Sequence, residues 1–123
     1  MSAITYDDVV DNIIILQTTT LESKIPGMIV DAEDLLIAQL SYLEDASQIV
    51  RPEDPGDTLD IINMMVLWQT RARAFESYYG SVNNEESALW EKRYNDTLKD
   101  IRKGYIKVGT VDKVKTLARA EFG

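Results

Sequence analysis

Residues 61–80 read IINMMVLWQTRARAFESYYG, and this stretch decides the fold. Ile61, Met65, Trp68, Ala72, Phe75 and Tyr79 recur at steps of four and three, the period of an α-helix. Ile62, Met64 and Leu67 widen the apolar surface beyond one stripe. A helix that is apolar on several sides needs neighbours on more than one face, so this one is expected at the centre of a bundle with Trp68 buried. Asp57 is placed to cap it, with Asp60 three residues on, and Gly80 to stop it.

Toward the C-terminus, Asn83-Asn84 precede a further helix expected from about Glu85 to Lys103. Glu85 and Glu86 lie at its start and Lys99, Arg102 and Lys103 at its end, so side-chain charge complements the helix dipole at both ends. Leu89, Trp90, Tyr94, Leu98 and Ile101 form its apolar side, and Gly104 ends it. Tyr105 to Gly109 alternates and reads as a short extended segment. Thr110 to Gly123 is mildly basic and weakly amphipathic through Val111, Val114, Leu117, Ala118 and Phe122. It reads as a short helix or as an extended tail that orders on a partner.

Toward the N-terminus, Pro52-Glu53-Asp54-Pro55-Gly56 is a loop. Before it, Leu36, Leu40, Leu43, Ala46 and Val50 recur at helical spacing in a helix expected from Asp31 to Arg51-Pro52. Glu33, Gln39, Glu44 and Gln48 read as its wet positions. Three consecutive threonines and Pro26-Gly27 are poor helix material, so residues 18–30 read as a connecting loop. At the start of the chain, Thr5 and Asp8 have the spacing of a capping box, and Ile4 and Val9 that of a hydrophobic staple. They open a first helix carrying Val9, Val10, Ile13, Ile14 and Leu16, although Ile13-Ile14-Ile15 also reads as a buried strand.

The result is an all-α fold: a small four-helix bundle domain over residues 1–104, then a C-terminal extended segment or tail over 105–123. The chain has 123 residues, 45% of them hydrophobic, which suits one domain with one core. The first residues show neither a basic start nor an apolar run, so no signal peptide is expected. No run is long enough to span a bilayer, and a small, acidic, soluble, intracellular-type domain is expected.

Charge and composition narrow the function. The net charge is −8, which argues against wrapping duplex DNA or coating an anionic membrane. With no cysteine and no histidine, thiolate zinc sites, cysteine nucleophiles and imidazole-based catalysis are excluded. Residues 1–60 hold 13 acids and 2 bases, a net of −11, while residues 61–123 hold 11 bases and 8 acids, a net of +3. Solvated helix faces can differ this way, and so can a protein that meets copies of itself head to tail.

The carboxylates cluster at Asp7, Asp8 and Asp11, at Asp31, Glu33 and Asp34, and at Glu53, Asp54, Asp57 and Asp60. Such groups can do acid/base work or hold Mg²⁺ or Ca²⁺, but helix starts already account for most of them. No calcium-loop spacing, glycine-rich phosphate loop or nucleophile elbow occurs, so no catalytic residue, cofactor or metal is expected. The methionines and aromatics of residues 61–80 read as core before they read as a cofactor pocket. Arg71 and Arg73 interrupt that helix. Either both carry their charge to solvent, or at least one pairs with an acid of a neighbouring subunit.

The order of these elements resembles the small head–tail connector (adaptor, or head-completion) proteins of tailed bacteriophages. The resemblance runs over residues 3–109. It is carried by AITYDDVVD, DAEDLLIAQLSYLEDASQIV, the long apolar helix and EESALWEKRYNDTLKDIRKGYIKVG. Most telling are Trp90, Tyr94, Leu98, Ile101 and Gly104, followed by Ile106 and Val108. The acidic RPEDPGD stands where the family would have an extended Tyr- and Pro-containing stretch.

The resemblance implies a homo-oligomeric ring, typically a dodecamer, in the neck of a virion. The ring would sit beneath the portal protein and receive a downstream neck, stopper or tail-terminator protein. DNA would pass through without sequence-specific binding. No membrane, cofactor or enzymatic activity is implied. The chain would occupy the host cytoplasm during assembly. Interface candidates are Arg71, Arg73, Tyr105, Ile106, Lys107, Val108, Lys113, Lys115, Leu117, Arg119 and Phe122. The other reading is a small acidic phage-type inhibitor or binding protein that offers carboxylates to a basic partner in place of phosphates.

Overall fold

The computed structural model describes residues 3–81 and 84–109. They form an all-α domain of five helices: α1 (Tyr6–Val10), α2 (Thr19–Gln39), α3 (Ala46–Val50), α4 (Asp60–Tyr79) and α5 (Glu85–Arg102). Single 3-10 turns at Ile14–Leu16 and Pro55–Asp57 complete the set, and no strand occurs among the described residues. Helix α4 is central, packing chiefly on α5 and α2 and also touching α1 and the first 3-10 turn.

The class agrees with the sequence reading, but the helices are apportioned differently. The stretch 18–30 is no connecting loop. It is the first half of α2, which starts at Thr19 with the Thr18 side chain accepting from Leu21 N at 3.1 Å. Leu21, Ile25, Ile29, Ala32, Leu36 and then Leu40 are buried at steps of four, four, three, four and four. Burial along that stripe runs straight past Pro26 and outweighs the local signals against a helix.

The expected helix from Asp31 to Val50 is likewise divided. α2 stops at Gln39, a turn follows, and Leu43, Ala46, Ile49 and Val50 reach the core from that turn and from α3. The first helix is also shorter than its apolar pattern suggested. Thr5 N donates to Asp8 Oδ2 at 2.9 Å as the capping box requires, but α1 ends at Val10. Asn12 then takes a left-handed φ of 59°, which asparagine tolerates better than most residues. The triplet 13–15 is therefore no strand, and Ile14 is 80% exposed.

Within α4 the buried residues are Ile62, Met65, Val66, Gln69, Thr70, Ala72, Ala74 and Phe75. Met65, Ala72 and Phe75 of the expected stripe are among them, whereas Ile61 and Trp68 are half-buried and Tyr79 is exposed. Asp57 does not cap α4, because Leu59 occupies the cap position. Asp54 instead accepts from Gly56 N at 2.9 Å and caps the 3-10 turn. Gly80 ends α4 with a φ of 66°, as its position suggested.

Helix α5 follows the sequence reading closely, with two exceptions: Leu89 is half-exposed and Ser87 is fully buried. The Asn84 side chain accepts from Ser87 N at 2.7 Å. At the other end Gly104 N donates to Ile101 O at 3.0 Å and Tyr105 N to Asp100 O at 2.9 Å, with Gly104 at a φ of 82°. This pair of hydrogen bonds around a left-handed glycine satisfies carbonyls in the last turn of the helix.

Candidate interaction surfaces

The two arginines of α4 are engaged within the chain. Arg71 Nε donates to Val9 O at 2.9 Å and its terminal nitrogen to Asp8 O at 3.0 Å, so it closes the C-terminal end of α1. Its guanidinium carbon also lies 4.8 Å from the centre of the Trp90 ring, with that of Arg93 4.7 Å from the same ring. Burial lowers the Arg71 pKa, opposed by the charge of Asp11. Arg73 bridges Glu76 on its own helix at 3.1 Å and Glu91 on α5 at 3.0 Å. One arginine thus ties α4 to α1 and the other ties it to α5.

A third cation escaped the sequence reading. Arg51, at the end of α3, holds Glu33 at 2.8 Å, Asp34 at 2.8 Å and Val30 O at 3.1 Å. The Glu33 side chain is only 4% exposed, so it is a buried carboxylate and not a wet position. Hydrogen bonding to Glu33 raises the Arg51 pKa further. The available signal was that Lys24 and Arg51 are the only bases among the first 60 residues. Gln39 was missed too: its side chain accepts from the buried Tyr94 hydroxyl, and its carbonyl from Arg102 at 3.3 Å.

Three acids of the sequence clusters do local work. Asp8 completes the capping box, Asp34 joins Arg51, and Asp54 caps a turn. No group of three or more acids among the described residues is arranged to hold a metal ion. Nor is any described helix long and apolar enough to cross a membrane.

Grooves open on the surface of the described residues. One, about 550 Å³, lies between α2 and α4, with Met28 and Leu35 on one wall and Gln69, Arg73 and Glu76 on the other. A second, about 220 Å³, separates Tyr42 and Leu43 from Ile101, Ile106 and Val108. The third, about 250 Å³, lies against Ile49, Pro52 and Leu59 and is closed on one side by Val108. The last two flank the chain where it leaves the described fold. There Val108 is buried, Ile106 half-buried, and Lys107 and Tyr105 exposed, Tyr105 at 75%. Of the other interface candidates, Lys113, Lys115, Leu117, Arg119 and Phe122 lie outside the described residues.

The geometry offers docking surfaces around an apolar helical core, with Arg51, Arg71 and Arg73 linking neighbouring elements at its edge. Compared with protein-family models, curated proteins and solved structures, the chain matches none.

Proposed function

We propose that this chain is a structural protein of a bacteriophage neck, a head–tail connector without chemistry of its own. Its copies close into a ring, a dodecamer by analogy, between the portal and the next neck or tail protein. The observation that supports this reading is the C-terminal end of the bundle. Tyr94, Leu98 and Ile101 turn inward on α5 and Trp90 is half-buried, Gly104 stops the helix, and Ile106 and Val108 follow against the core. That is the order of residues on which the resemblance to connector proteins rests.

Arg71 and Arg73 serve the fold in this proposal. Contact with neighbours falls to exposed groups such as Tyr105 and Lys107 and to residues 110–123. A contact between two different surfaces of successive copies closes into a ring when its rotation allows. The charge split between −11 and +3 would guide register, while apolar contacts hold the ring.

Native mass spectrometry of the chain with portal-bearing heads tests the proposal, together with locating the protein in purified virions. A ring at the neck is the expected result. A monomer that ignores heads and binds a basic protein with steep salt dependence would replace it with the inhibitor reading, which the acid-rich first half favours.

A further inference from the structure

The groove beside Val108 lies where the chain runs on into a stretch of mixed apolar and basic sequence. Ile49, Pro52 and Leu59 give it an apolar floor, and Leu59 is 43% exposed although it is a large apolar residue. Glu53 and Asp57 are exposed carboxylates on its rim. At about 250 Å³ it falls below the ~300–1,000 Å³ usual for small-molecule sites and has room for a few side chains.

The chain leaves the described fold at this groove, since Val108 is one of its walls. The next residues read Thr110-Val111-Asp112-Lys113-Val114-Lys115-Thr116-Leu117-Ala118-Arg119. Val111, Val114 and Leu117 recur every third residue, with Asp112, Lys113 and Lys115 between them, so the two lysines outweigh the one acid and the segment offers apolar groups and cations together. Val111 is three residues past Val108, a reach of roughly 10 Å at full extension. A tether that short sets an effective concentration on the order of millimolar, which a second copy at micromolar concentration does not rival.

We propose that in the free protein residues 110–118 dock into the groove of their own chain, with Val111, Val114 and Leu117 on Ile49, Pro52 and Leu59, and Lys113 and Lys115 toward Glu53 and Asp57. The groove is then an internal docking site for a basic, apolar segment. The inference stands apart from the neck proposal, because it concerns the isolated chain and is read without heads or virions.

The chain has no cysteine, so Ala120→Cys gives one position for a nitroxide label. In the full-length, isotope-labelled protein the amides of Ile49, Asp57 and Leu59 should broaden, unchanged on dilution. Val114→Asp with Leu117→Asp should abolish the broadening while α4 and α5 amides keep their positions. Lys113→Glu with Lys115→Glu should weaken it, and adding Asp57→Lys should restore part of the loss. Absence of broadening in the full chain overturns the proposal. So does broadening that appears only when spin-labelled chains are mixed with separate isotope-labelled ones, since the occupant is then a second copy.

Discussion

Helices α2 and α5 have similar lengths and both pack on α4, but they differ in how far their own sequences mark them as helices. α5 carries its own boundary signals. Asn84 caps it, Glu85 and Glu86 sit in its first turn, Lys99 and Arg102 in its last, and Gly104 closes it. Lys92 and Asp96 add an exposed pair one turn apart at 2.7 Å. α2 begins in threonines, carries Pro26-Gly27 in its interior and buries a carboxylate. It is held by what packs against it: α4 along its buried stripe, Arg51 from the end of α3, and Tyr94 and Arg102 of α5 at its last turn. Propensity and signals at both ends mark α5 within its own sequence, whereas α2 has its Thr18 cap and otherwise relies on contacts that form only in the folded domain.

The largest effect expected from that difference is at Leu36, fully buried on α2. Leu36→Ala should cost about 2–5 kcal/mol, since a cavity is left among partners that relax only in part. Leu89→Ala on the half-exposed side of α5 should stay within about 0.5 kcal/mol. Urea unfolding of both variants measures the contrast. Equal losses would mean that Leu89 is packed as deeply as Leu36.

Arg51 should come next. Removing it strands Glu33, whose side chain has almost no water. A fully buried pair broken this way costs ~3–5 kcal/mol, but Arg51 is itself 30% exposed, so Arg51→Ala should cost about 2–3 kcal/mol. Replacing Glu33 by Met as well should recover most of the loss, because the stranded charge is then gone. A double variant no more stable than Arg51→Ala would place the cost in lost packing of the arginine stem.

These two helices also explain what was legible in the sequence. The ends of α5 were readable because caps, dipole charges and a stop glycine are local features. Its buried face was mostly readable because Tyr94, Leu98 and Ile101 stand on a polar background. α2 was hidden because Thr18-Thr19-Thr20 and Pro26-Gly27 signal a loop within a few residues, while what outweighs them is a buried stripe from Leu21 to Leu40. The partners of Arg51, Arg71 and Arg73 were not legible. Arg71 meets carbonyls 62 and 63 positions away in the chain, and backbone oxygens have no sequence signature.

Tyr94 sharpens the comparison, because it joins the two helices through Gln39. Tyr94→Phe removes one hydrogen bond at a part-buried site and should cost about 1 kcal/mol at neutral pH. Burial raises the Tyr94 pKa, with the charge of Arg102 partly opposing it. The folded chain therefore keeps a phenol proton that the unfolded chain releases near pH 10. The stabilisation is complete below that pH. It fades as pH rises further, by no more than about 1.4 kcal/mol per unit. The wild-type advantage over Tyr94→Phe should accordingly shrink above pH 10, as denaturant titrations at stepped pH would reveal. A constant gap across that range would mean that the hydroxyl is solvated in the folded chain.

The smallest effect goes to the centre of α2. Gly27 is exposed, helical and at negative φ, and a Cβ built there meets nothing within 4 Å. Alanine fits without strain and restricts the unfolded chain more than glycine does, so Gly27→Ala should stabilise the protein by about 0.5–1 kcal/mol. The neighbouring Pro26 offers no amide hydrogen to the turn before it, and both it and Gly27 lie on the exposed side of the helix. Packing of Ile25 and Ile29 then supports a turn that the proline and glycine by themselves disfavour. Differential scanning calorimetry of Gly27→Ala decides whether this account is right. A rise in Tm marks an ordinary helical turn carrying an unfavourable residue, and a fall would mean that α2 needs the glycine where it passes Pro26.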